Sequence, residues 1–142
     1  MSLIRDDDEA CLMEVHARGA ELLERYRELL EDGVPSPALA DALARVVSDR
    51  RACLEQLAER LRSRGVMPST GDPDRAWVEA SADLFGANSA ALAERLVAAE
   101  GRWRETLDAA LDQAWNDADA AVLERLSEHM DDCLERLKAA SR

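Results

Sequence analysis

Aromatic residues make up only 4% of this 142-residue chain, with a single Tyr and a single Phe, and β-branched residues are scarce. A sheet draws on Val, Ile, Thr and aromatic side chains to fill its pleated faces, so the shortage argues against one. Long apolar runs are also missing, and nothing approaches the ~20 residues that cross a bilayer as a helix. The start, Met1 to Glu9, turns acidic where a secretory signal would be basic and then apolar, which predicts a cytoplasmic location.

Positive charge is in short supply. Eighteen Lys and Arg face thirty Asp and Glu, a net charge of −12. Phosphate binding needs clustered cations to displace counterions, so nucleic acid is excluded as a partner, and an anionic membrane surface is disfavoured for the same reason. Cysteine numbers three, Cys11, Cys53 and Cys133, far apart and without a CxxC pair. That excludes a disulfide framework and a zinc knuckle, and the three read as small buried hydrophobes.

What is present in quantity is Ala, Leu, Glu and Arg, all good helix formers. On α1, expected over residues 6–31, Leu12, Val15, Gly19, Leu22, Tyr26 and Leu29 recur at spacings of three and four, which is one buried stripe. Gly33 and Pro35 end it. Ser36-Pro37 opens a second helix over 37–64 with the stripe Leu39, Leu43, Val46, Arg50, Cys53 and Leu57, Leu61 falling one residue off register. A third helix over 89–113 carries Ala93, Leu96, Glu100, Trp103, Leu107 and Ala110 in line. After Asn116-Asp117 a fourth covers 118–140, with Leu126, Met130, Cys133 and Leu137 facing inward and His129 beside the seam.

Loop lengths set the topology. The connections at Gly33 and Asn116 are short enough to force antiparallel neighbours, whereas about two dozen residues separate the second and third helices. That segment can travel the length of a bundle, and Asp72-Pro73 within it opens a short helix over 73–85 bearing Trp77, Leu84 and Phe85. The expected fold is all-α, a single-domain ferritin-like four-helix bundle with a long crossover that carries this extra helix.

Arg50, Glu100 and His129 interrupt or flank their stripes near the middle of three different helices. Bundle proteins place metal and cofactor sites at such a mid-core belt. A carboxylate-bridged iron pair requires a Glu from each of two helices and a Glu-x-x-His from each of the others. Here Leu126 precedes His129 by three and Met13 precedes His16 by three, and Arg50 would repel a cation. The reading is therefore a buried Arg50–Glu100 ion pair, with Asp49 or His129 completing its hydrogen bonds, and no catalytic residue, metal or cofactor. The alternative is an iron oxidase or iron-handling protein with an atypical ligand set drawn from Glu100, His129, His16 and Asp49. A thiol sensor would need an acidified cysteine.

Beyond the seams, Leu23 and Leu30, Val47 and Leu54, and Leu123 and Leu134 suggest a second interface for a homo-oligomer or protein partner. From about Val15 onward the chain resembles the DUF2383 group of bacterial ferritin-like proteins of unknown function. The likeness rests on the segment Arg18 to Tyr26, on Asp49-Arg50 with Cys53 and Leu57, on Arg64 to Pro68, on Arg75-Ala-Trp77 with Leu84-Phe-Gly86, and on Glu100 ahead of Ala110-Leu111. It implies the ferritin-like bundle and brings no activity with it.

Overall fold

A computed structural model describes residues 7–68, 89–113 and 115–140, and all regular structure among them is helical. The helices are α1 (Asp7–Asp32), α2 (Pro37–Ser63), α3 (Ser89–Leu111) and α4 (Asp117–Ala140). The short helix expected over 73–85 lies outside the described residues.

Local chemistry sets the helix ends. Ser36 stands at the cap of α2, where its Oγ accepts from the Leu39 amide at 3.3 Å, and Pro37 occupies the first turn, where no amide donor is needed. Gly33 closes α1 with φ 99°, its amide donating to the Leu29 carbonyl at 3.0 Å. Gly65 closes α2 with φ 76°, donating to the Arg62 carbonyl, while Val66 donates to the Leu61 carbonyl and folds back on the core. That pair of bonds is the Schellman arrangement, which only a left-handed residue permits. Asn116 Oδ1 accepts from the Asp119 amide at 2.8 Å and starts α4.

Side-chain pairs fix the helix directions. Arg60 and Arg64, at the end of α2, reach Asp119 at the start of α4, so those two run antiparallel. Tyr26 meets Glu100, Arg18 meets Thr106 and Cys11 meets Gln113, so α1 and α3 also run antiparallel. The short turns make α1–α2 and α3–α4 antiparallel as well, and α2 and α3 are consequently parallel. Around the bundle the order is α1, α2, α4, α3, which sets α2 and α3 on a diagonal. The end of α2 and the start of α3 therefore lie at opposite ends of the bundle, and the architecture is an all-α four-helix bundle.

The core is a continuous cluster of Leu with Val, Ala, Tyr26, Trp103, Met130 and Cys133. In α2 the stripe differs from the expected one. Leu54 is buried at 5% exposure and Cys53 is only half-buried, because the stripe advances by four after Arg50 and so brings Leu57 and Leu61 into register. Leu54 and Leu123 thus belong to the bundle's own core, Leu23, Leu30 and Val47 are partly buried against it, and Leu134 is half-buried. Among the described residues the large hydrophobic side chain left exposed is Met67. No helix described is long and apolar enough to cross a membrane.

Close packing at one level depends on a glycine. A Cβ at Gly19 would collide with the Trp103 indole and press on Leu54, so α1 admits the ring only because position 19 has no side chain. Seated there, Trp103 donates its Nε1 hydrogen to the Val15 carbonyl at 3.0 Å and presents its face to the middle of the bundle.

Candidate functional site

All four helices contribute to one polar cluster at mid-bundle. Arg50 of α2 is fully buried and reaches across the diagonal to Glu100 of α3, also fully buried. The contact is a two-pronged fork, Nη1 to Oε1 at 2.6 Å and Nη2 to Oε2 at 2.7 Å, the geometry in which guanidinium and carboxylate match best. Tyr26 of α1 donates its hydroxyl to Glu100 Oε1 at 2.7 Å. Arg50 donates its Nε hydrogen to Nε2 of His129 on α4 at 3.2 Å.

The aromatic residues frame the cation. The Trp103 ring lies 4.5 Å from the guanidinium carbon and the Tyr26 ring 5.7 Å, so π faces replace part of the lost hydration. Because arginine can only donate, His129 Nε2 must be the accepting nitrogen, which puts the proton of the neutral ring on Nδ1. Cys133, one turn along α4, sits 3.6 Å from that Nδ1.

Electrostatics follow from this geometry. Burial alone would make Arg50 easier to deprotonate, but the charge and hydrogen bonds of Glu100 outweigh it and hold the guanidinium more firmly protonated than usual. Burial, with Glu100 beside it, raises the Tyr26 hydroxyl well above the ordinary tyrosine range. Burial and then Arg50 lower His129 to about 4, and burial raises the Cys133 thiol to about 12 despite the opposing Arg50. The thiols of Cys11 and Cys53 are also raised, each chiefly by burial. None of the three is the acidified thiol that sensing chemistry needs.

The structure gathers Arg50, Glu100 and His129, and it leaves the other candidates aside. Asp49 accepts from Arg45 Nε at 3.2 Å on the rim of α2, with its side chain 38% exposed. Neighbours in a helix point about 100° apart, so Asp49 cannot face the axis alongside Arg50. His16 is buried on α1, ten residues before Tyr26. Among the described residues no three His, Cys, Asp or Glu side chains converge in a way that could hold a metal ion. Both Glu100 oxygens and His129 Nε2 already accept from Arg50 or Tyr26.

The chain matches no protein-family model, no curated protein and no solved structure.

Two participants were not legible beforehand. Tyr26 fits an apolar stripe, and its hydroxyl was the one signal that a buried partner had to exist. Asp119 sits in the first turn of α4, where an acid usually serves the helix dipole in solvent. Here it is fully buried, accepting from Arg60 Nε at 2.7 Å and from Arg64 Nη2 at 2.5 Å. Burial would raise its carboxyl, but the two arginines outweigh that and hold it below the usual range. Arg64 also stacks 5.8 Å from the Trp115 ring, and Trp115 donates to the Ala110 carbonyl at 2.7 Å. This second cluster rivets the end of α2 to the α3–α4 turn.

Proposed function

We propose that this chain is a non-catalytic ferritin-like bundle of the DUF2383 kind, acting in the cytoplasm as a structural or partner-binding domain. The observation that carries the reading is the closure of the central belt. Where a di-iron bundle turns carboxylates and imidazoles toward a cation, this one turns a guanidinium toward them. One carboxylate accepts three hydrogen bonds, and the imidazole nitrogen facing Arg50 accepts a fourth. A metal ion would have to displace a fully buried cation before meeting its first ligand.

Partner binding is then the work of the outer surface. Among the described residues Met67 is the large apolar side chain left exposed, the others being buried or half-buried, and the chain carries a net −12. Those features favour polar and charged contacts, with a partner whose surface is basic, over a greasy self-interface.

Metal analysis of protein purified under anaerobic, iron-replete conditions tests the central claim. Far less than one iron per chain is expected, and stoichiometric iron overturns it in favour of an iron oxidase or iron-handling protein. Light scattering with recovery of partners from extract tests the surface claim. A strict monomer from which no partner can be recovered removes its support.

A further inference from the structure

We propose that His129 is an acid-operated latch on the α2–α4 seam, which holds Arg50 while its ring is neutral and releases it on taking up a proton. The geometry allows one protonation state in the closed form. Nε2 offers a lone pair to Arg50 Nε at 3.2 Å, and a proton on that nitrogen would set two donors and two cations against each other.

The surroundings make this contact responsive. Arg50 and a protonated His129 would share a single buried counter-charge, Glu100 of α3, which Tyr26 of α1 already engages through its hydroxyl. The other groups acting on the ring are Asp49 and Arg50 of α2 and Asp132 and Cys133 of α4. Asp49 and Asp132 are both acids at the rim, held by Arg45 and Arg136 in half-exposed pairs. At 9% exposure the ring is the member of the belt closest to solvent, whereas Arg50 and Glu100 are wholly enclosed. A protonated imidazole can therefore turn toward the two rim carboxylates. That leaves Arg50 Nε without its acceptor and loosens α4 from α2 at mid-bundle.

The sign is fixed by linkage. His129 is lowered to about 4 in the fold from an ordinary 6.5, so between those values the unfolded chain binds a proton that the closed bundle refuses. The contribution of this residue to stability is present above pH 6.5 and is lost as the pH falls toward 4. From pH 7 to pH 5 the folding equilibrium constant should drop about 20-fold through this residue.

Urea denaturation of the full chain at pH 7 and pH 5 tests the latch, beside His129→Gln, whose amide oxygen can still accept from Arg50 but cannot titrate. Most of the wild-type drop should vanish in the variant, and an equal drop in both overturns the proposal. Imidazole NMR on the wild-type protein, with His16→Asn for assignment, keeps the test open should H129Q fail to fold. Titration of His129 well below the ordinary range should coincide with loss of amide protection around Leu126–Cys133. Titration near 6.5, or no change in protection through the transition, overturns it.

Discussion

Arg50 and Glu100 illustrate how a charge in a core differs from a charge on a surface. On the surface, pairs such as Arg104–Asp108 or Arg62–Glu59 are screened by water and contribute little. At the centre neither ion has water to return to. Glu100→Gln keeps the shape and leaves the guanidinium uncompensated, so it should cost about 3–5 kcal/mol in urea denaturation. Tyr26→Phe removes one hydrogen bond to a charged group and should cost about 1.5–3 kcal/mol. Arg50→Leu combined with Glu100→Leu should be far milder than Glu100→Gln alone, since both desolvation penalties disappear together. A double variant as damaged as the single one would show that the pair adds net stability. The partnership was legible in sequence because each charged residue breaks an otherwise regular apolar stripe at a similar distance from its helix ends. Tyr26 breaks nothing, since an aromatic ring satisfies the same pattern as leucine, and so the sequence does not mark its role. Asp49 misled for a simpler reason, since adjacency in sequence is not adjacency on a helix face.

At the scale of the helix, two glycines of equal propensity cost have opposite uses. Gly19 is required, because the Trp103 indole occupies the volume of its missing Cβ. Gly101 stands mid-helix in α3, and a Cβ there meets nothing within 4 Å. Gly19→Ala should therefore destabilise by about 1–3 kcal/mol through overpacking. Gly101→Ala should stabilise by about 0.5–1 kcal/mol, since alanine loses less backbone entropy on becoming helical. Thermal melts of both variants check the pair, and equal effects would mean that Trp103 is not seated against α1. Helix existence and the caps at Ser36, Gly33, Gly65 and Asn116 could be read from residue type, because each depends on chemistry within a few residues. The step from Arg50 to Leu54 could not. Spacings of three and four are both helical, and the choice of Leu54 over Cys53 is made by what α1 and α4 leave room for.

Across the whole molecule, the direction of α3 followed from loop length alone, since a long connector beside two short ones permits parallel α2 and α3. Which helices face each other diagonally is a matter of packing, and no local signal encodes it. That diagonal divides the chain into two hairpins, α1–α2 and α3–α4, joined through residues 64–88. The first hairpin supplies Tyr26 and Arg50 to the central cluster and Arg60 and Arg64 to the end one. The second supplies Glu100, His129 and Asp119. At both buried networks, then, one half of the protein donates the hydrogen bonds and the other half accepts them. Two copies of the same half would bring like to like, guanidinium on guanidinium or carboxylate on carboxylate. Severed between the hairpins, the chain should reassemble as an equal mixture of unlike halves, visible by light scattering and circular dichroism, while either half alone stays unpaired. The molecule is in that sense a plug and socket made in one piece, and its polarity keeps either hairpin from pairing with a second copy of itself.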